Sequence, residues 1–354
     1  MNTALAELIR ETIRAHGPQS FAWFMHQALY HPEHGYYSSG CCAIGRNGDY
    51  FTNVSVGPLF GYLLAAQFAE IWEQFGGPDD FVIVEQGAHD GQFARDVLES
   101  LQKRVPEFFA AIRYRIVEPF PVLRERQSRT LELFCDKIEW RDSLQPFAGI
   151  HFSNELLDAM PVRLISGDVE KLVDLEGDKF VWTDQPIQGA AASRLPRDGA
   201  FNQTSLDWVD EVAANLQCGY VIAVDYGPSS QCQGNVQVRA QHRNLESPFE
   251  QIGHADITVG VDWGSVIDRA QSNGLSAAGF TDQHHFLAGI VSKWPGLASE
   301  SSAKMKRELQ TLLHPEMLGR AFQVLALARN VDPNAPPLAG FKFAGEPGSL
   351  FGVR

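Results

Sequence analysis

The stretch Glu85-Gln86-Gly87-Ala88-His89-Asp90-Gly91 carries residue types whose spacing suits ligand binding. It follows the apolar run Phe81-Val82-Ile83-Val84 and precedes a helical pattern that starts near Gln92. A turn with few side chains lets backbone N–H groups approach a ligand, and a helix N-terminus adds favourable partial charge. Glycines bracket many strand-to-helix loops, so Gly87 and Gly91 alone are weak evidence. Glu85 sharpens the reading. An acid there works against a phosphate and suits a cofactor with an ammonium group, such as the methionine part of S-adenosylmethionine. Glu85, Gly87 and Gly91 are therefore candidate cofactor-binding residues, and a side chain introduced at Gly91 is expected to meet the bound cofactor.

Further polar residues stand at the ends of other apolar runs. Tyr114 to Val117 ends at Glu118, whose carboxylate suits two ribose hydroxyls. A solvated strand-end charge is the alternative. Lys137 to Trp140 is followed by Asp142 and Ser143, placed either to reach an adenine edge or to cap a helix. Ile150-His151-Phe152 leads into Ser153-Asn154-Glu155, and Tyr220 to Val224 ends at Asp225. Helical patterns such as Gln92 to Lys103 and Val122 to Phe134 separate the runs. Apolar strands alternating with helices indicate a parallel, doubly wound sheet with its site at the carboxyl edges of the strands. Leu275 to Phe280 and Phe322 to Ala328 read as the last two strands, with Phe322 to Leu327 as an antiparallel hairpin strand of the kind methyltransferases carry. Val162 to Trp182 alternates without a helix around Glu176-Gly177-Asp178, a hairpin signal. The expected fold is α/β, a Rossmann-like class I methyltransferase with a seven-stranded sheet, an N-terminal helical cap and an inserted antiparallel β element. The expected division is 1–78 as cap and cofactor-covering segment, 79–330 as methyltransferase domain with the insertion at about 162–185, and 331–354 as tail.

Composition sets outer bounds. The chain has 354 residues, 44% of them hydrophobic, and a formal net charge of −14. An acidic chain lacks the broad basic field that nucleic acid requires, and no apolar run is long enough for a membrane span. Five cysteines without a C-x-x-C pair fit reduced thiols. With no secretory signature at the N-terminus, the cytoplasm is the expected location. His26, His31 and His34, and the pair His284-His285, lack a spacing that demands a metal. None is expected.

The chain resembles the MidA-like S-adenosylmethionine-dependent methyltransferases, the family of the mitochondrial complex I assembly arginine methyltransferase. The resemblance runs from about Leu8 to Arg329. It rests on Gly48-Asp49-Tyr50-Phe51-Thr52, Gly57-Pro58-Leu59-Phe60-Gly61, the turn at 85–91, Val117-Glu118-Pro119, Asp225-Tyr226-Gly227 and Met317-Leu318-Gly319. Its most specific part is Ser153-Asn154-Glu155-Leu156-Leu157-Asp158-Ala159-Met160-Pro161. The family's turn often has a third glycine where this chain has His89. The resemblance implies S-adenosylmethionine as cofactor, Thr52 as a further residue beside it, and methylation of arginine in a protein substrate, with a respiratory-complex subunit as one candidate. Methyl transfer is an in-line displacement governed by positioning. A guanidinium needs carboxylates that pair with its planar fork, so Glu155 and Asp158, with Asn154, are the candidate catalytic residues. If a helix starts here, Asp158 lies one turn from Asn154 and Glu155; acids at a helix N-terminus are also stabilising without chemistry. Two alternatives stay open: a non-catalytic assembly or scaffold protein that keeps the fold, which His89 favours, and an NAD-dependent oxidoreductase, which Glu85 disfavours. An oligomer is compatible with either.

Overall fold

The computed structural model describes residues 3–40, 42, 52–187, 198–227, 236–299 and 302–345. Contacts divide the chain into two compact units that do not follow the chain in order. The first comprises Met1–Phe51, Leu157–Asp207 and Pro228–Asp262; the second comprises Thr52–Leu156, Trp208–Gly227 and Trp263–Arg354. The expected cap at 1–78 is thus shared: its first two helices pack with the inserted β element, whereas residues from Thr52 onward belong with the large sheet.

In the first unit, the helices Ala4–His16 and Phe21–Tyr30 start at Thr3 and Ser20, whose side chains accept from the N–H groups of Ala6 and Trp23. Such caps satisfy donors the helix leaves open. Their apolar faces, with Leu5, Ile9, Phe21, Phe24 and Met25, bury into a core that includes Val162, Val173 and Ile257. Strands Val169–Glu176 and Lys179–Pro186 form the expected hairpin, joined by Gly177-Asp178 with Gly177 at φ +62°. They belong to a five-stranded sheet with Gln19–Ser20, Arg163–Ser166 and Asp198–Phe201, wider than the insertion expected.

The second unit is built on seven strands: β1 Phe81–Gln86, β2 Ile112–Val117, β3 Ile138–Arg141, β4 Phe147–Asn154, β5 Leu216–Tyr226, β6 Ser276–Asp282 and β7 Phe322–Arg329. Their spatial order is β6-β7-β5-β4-β1-β2-β3. The β5-β4-β1-β2-β3 block is parallel, and β7 runs antiparallel to both β5 and β6. This is the expected sheet, hairpin strand included. Five helices of this unit position the site: α1 Asn53–Val56, α2 Leu59–Gln74, α3 Gln92–Arg104, α4 Pro106–Ala111 and α5 Pro121–Thr130. The β1 run is apolar because both of its faces are covered. Phe93 of α3 stacks on Phe152 of β4 with centroids 4.2 Å apart, which ties the helix after the glycine turn to the strand that carries Asn154. The chain leaves β1 toward β2 on one side and returns to β4 on the other. The crevice between the carboxyl ends of β1 and β4 is therefore the topological switch point, where open α/β sheets place ligands. Among the described residues, no helix is long and apolar enough to cross a membrane.

Candidate active site

The turn after β1 alternates in backbone hand. Gly87 has φ +81°, His89 φ +46° and Gly91 φ +81°. His89 thus holds the left-handed conformation that a glycine adopts without cost. Histidine is among the non-glycine residues that tolerate it, so the departure from the family's glycine leaves the turn in place. Asp90 Oδ1 accepts from the Gln92 N–H at 3.1 Å and starts α3. Gly91 packs closely against α5. A Cβ there would lie 3.2 Å from Leu131 Cδ1 and 3.4 Å from Gln127 Cα. It would press on Leu131 and on Gln127 of α5. Gly91 is required for its backbone and for this close approach.

Glu85 and Glu118 are both buried. Glu85 accepts from the Tyr114 hydroxyl at 2.7 Å. Desolvation outweighs that bond and pushes its carboxyl up to about 8, with Asp90 adding to the rise. Glu118 accepts from the Phe120 N–H at 3.0 Å and from Gln127 Nε2 at 3.0 Å. Burial raises its pKa, and these two bonds, together with Arg124 and His89, offset part of the rise. Glu118 is therefore not a solvated strand-end charge.

Gln127, which no motif marks, is fully buried and links three elements. Besides Glu118 it donates to the His89 carbonyl at 3.1 Å and accepts from Trp140 Nε1 at 2.9 Å. A glutamine inside a helical pattern gives no signal of such a role; only the meeting of α5 with the turn reveals it. A second buried polar group lies on β4. His151 is fully buried, and desolvation lowers its pKa to about 3. Its Nε2 lies 2.8 Å from Gln86 Oε1, which also accepts from Trp208 Nε1 at 2.8 Å. The neutral imidazole thus pins the residue just before Gly87.

Asp142 and Ser143 are exposed, and Asp142 pairs with Arg124. Residues 142–146 form no helix, and β4 begins at Phe147. The capping alternative is thereby removed. Thr52 is buried, and its hydroxyl accepts from the Ser55 N–H at 3.1 Å while Ser55 Oγ accepts from the Thr52 N–H at 2.8 Å. This reciprocal cap starts α1. Gly48-Asp49-Tyr50-Phe51, the rest of that motif, lies outside the described residues.

At the end of β4, Glu155 has φ +53°. The Val224 carbonyl accepts its N–H at 2.9 Å, and Asp225 Oδ2 accepts the Leu156 N–H at 3.1 Å. These partners turn the chain and no helix starts, so the expected helical turn between Asn154 and Asp158 does not exist. Asp158 is buried in the first unit, where its carbonyl accepts from the Val259 N–H at 2.8 Å. Glu155 Oε1 instead accepts from Asn154 Nδ2 at 2.8 Å and faces the Asn53 N–H at 3.4 Å. Asn53 Nδ2 donates to Asn154 Oδ1 at 3.1 Å. A Cβ on Gly87 would lie 3.9 Å from the Asn154 carbonyl oxygen and 3.6 Å from Leu156 Cβ. The glycine turn and the Asn154-Glu155 corner are thus neighbours across the switch point. A non-glycine residue held at positive φ by specific bonds is a form of strain that collects at functional sites.

The model of a family of S-adenosyl-L-methionine-dependent methyltransferases matches residues 63–281. The chain belongs to this family. As a methyltransferase it takes S-adenosylmethionine as its cofactor. Similar curated proteins include the Drosophila melanogaster homologue of the mitochondrial protein arginine methyltransferase NDUFAF7, 25% identical over 96% of this chain and 88% of that one. The human NDUFAF7 is 24% identical over 93% and 87%. Among solved structures, a superfamily relative from Burkholderia thailandensis bound to S-adenosyl-homocysteine is 28% identical, with a TM-score of 0.88 over 98% of this chain and 96% of that one.

The residues of this methyltransferase fit that cofactor on chemical grounds. Glu85 is a buried carboxyl whose pKa is raised by desolvation and by Asp90, and an ammonium group beside it would favour its charged form. Glu118 spends two of about four lone-pair positions on protein donors, which leaves acceptor capacity for a diol. Among the described residues, no group of three or more His, Cys, Asp or Glu is arranged to hold a metal ion.

Proposed function

We propose that this methyltransferase modifies a nitrogen of an arginine side chain in a protein substrate. The observation that carries the reading is the Glu155 corner. A carboxylate held at positive φ, braced by Asn154 and by the start of α1, stands across the switch point from the glycine turn. The arginine methyltransferase relatives support the choice of acceptor. Glu85, Gly87 and Glu118 would hold the cofactor, with Gln127 and His151 holding Glu118 and Gln86 in place. When bound, S-adenosylmethionine supplies an electrophilic methyl group on a sulfonium.

Glu155 pairs with the planar guanidinium and fixes the direction in which its nitrogen presents a lone pair. Orientation of this kind is the main contribution that residues make to an in-line displacement. The nitrogen would gain the methyl group as the sulfur–methyl bond breaks, leaving S-adenosyl-homocysteine, and would release one proton to solvent, so the product remains a cation that Glu155 can still hold. A respiratory-complex subunit is the first acceptor to test.

Labelled methyl transfer into a cell extract, read by mass spectrometry, tests the reading. Label is expected on arginine, and Glu155→Gln is expected to lower the transfer rate by about one to two decades while cofactor affinity holds. Label on lysine, on a small molecule or nowhere would end the arginine reading. Wild-type transfer by Glu155→Gln would remove Glu155 from it.

A further inference from the structure

We infer that the side-chain carbonyl of Asn53 reads the methyl acceptor by taking one of its N–H donors beside Glu155. The inference rests on the arginine reading and adds a binding residue from α1 to it.

The argument follows the polarity of a short relay. An ionised carboxylate only accepts hydrogen bonds. Asn154 must therefore turn its amino group toward Glu155, and it does so at 2.8 Å. That orientation leaves Asn154 Oδ1 facing Asn53, which must turn its own amino group to meet it, at 3.1 Å. Asn53 Oδ1 is what remains. Asn53 is fully buried, and among the described residues this oxygen has no hydrogen-bond partner. Flipping the Asn53 amide would set two carbonyl oxygens against each other. Flipping both amides would set the Asn154 oxygen against the carboxylate. The charge on Glu155 thus fixes a relay that ends in a buried acceptor, and hydrogen bonds in such a chain polarise one another and strengthen that end.

A buried acceptor in this position selects for a donor. An anion has nothing to offer it, and neither has a quaternary ammonium. A guanidinium carries five N–H donors in a fixed fork, so one plane can serve Glu155 and Asn53 together. A cation without N–H groups would meet Glu155 and leave Asn53 unsatisfied.

The test uses the full chain loaded with S-adenosyl-homocysteine and two small probes, methylguanidinium chloride and tetramethylammonium chloride, titrated by NMR. Wild type is expected to bind methylguanidinium saturably and in preference to tetramethylammonium. Asn53→Ala is expected to weaken methylguanidinium binding about tenfold or more. It should leave tetramethylammonium binding and S-adenosyl-homocysteine affinity within about threefold of wild type. If Asn53→Ala does not fold, Asn154→Ala frees the Asn53 amide to turn, and the preference between the two probes must fall there too. Three results overturn the inference: equal methylguanidinium affinity in wild type and variant, no saturable methylguanidinium binding to wild type, or a parallel loss of S-adenosyl-homocysteine affinity. The last would make Asn53 a cofactor residue. A methyl label found on something other than arginine would end the arginine reading alone, while the probe contrast would still judge Asn53.

Discussion

Glu85 shows how one buried carboxyl couples fold, pH and cofactor. Its pKa is raised from 4.5 to about 8, chiefly by desolvation, and that of Asp96 on α3 is raised from 3.8 to about 7 for the same leading reason. A carboxyl raised in the folded state binds its proton more tightly there than in the unfolded chain. The stability it contributes is fully present below its unfolded value and is lost as the pH rises through the folded one. The melting temperature of the cofactor-free protein is therefore expected to fall between about pH 5 and pH 9, and Glu85→Gln should flatten that slope. A slope unchanged in Glu85→Gln would show that the proton sits elsewhere. If the cofactor's ammonium meets Glu85, binding near pH 7 ionises it, so calorimetric heats should differ between buffers of different protonation enthalpy. Gln127 belongs to the same scale. Gln127→Leu strips Glu118 and the His89 carbonyl of one donor each, and an unpaired buried group costs about 1–3 kcal/mol. Cofactor affinity should drop roughly tenfold, and Tm should fall with it.

The contact of α2 with α3 depends on Gly61. A Cβ at Gly61 would come within 2.5 Å of Asp96 Cβ, so Gly61→Ala must push the helices apart or displace Asp96. Overpacking of this kind costs about 1–3 kcal/mol, to be read as a lower midpoint in urea at an unchanged slope. The turn before α3 has a parallel requirement at Gly91, where positive φ and the approach to Gln127 and Leu131 coincide. Gly91→Val should destabilise the fold first, and any loss of cofactor affinity should follow from the displaced turn. His89 provides the contrast. His89→Gly is expected to leave cofactor affinity within about threefold of wild type, since the backbone is already left-handed there. His89→Val should weaken it, because β-branched residues resist that conformation. Equal affinities for the two variants would show that the hand of this turn does not matter.

For the whole molecule, ligand binding should appear as stability. A ligand at a hundred times its Kd adds about 2.7 kcal/mol to the state that binds it. S-adenosyl-homocysteine is therefore expected to raise Tm by several degrees in a thermal-shift series, whereas NAD should leave it unchanged. A shift with NAD alone would contradict the ammonium-accepting role given to Glu85. The two compact units make a second observation informative: if they unfold separately, only the transition of the seven-stranded unit should move with ligand.

The residue order alone determined the sheet. Apolar runs broken by helical periods mark which segments become β1 to β5, because strands covered on both faces are predominantly apolar, even where β2 carries Arg115 and β4 carries His151. The glycine turn was legible for a similar local reason, since positive φ selects glycine. The corner at Glu155 was legible only in part. Its acid could be named, but its backbone hand depends on the Val224 carbonyl and the Asp225 carboxylate, so the helical turn inferred for Asp158 did not form. The direction of a Cβ on Gly91 was likewise decided by α5. Asn53, Gln127 and His151 could not be read at all: Asn53 meets Asn154 across 101 residues of chain, and an amide has no periodicity to betray it. Local pattern sets each strand and turn, but hydrogen-bond partners distant in sequence are chosen only when the sheet brings the ends of β1 and β4 side by side.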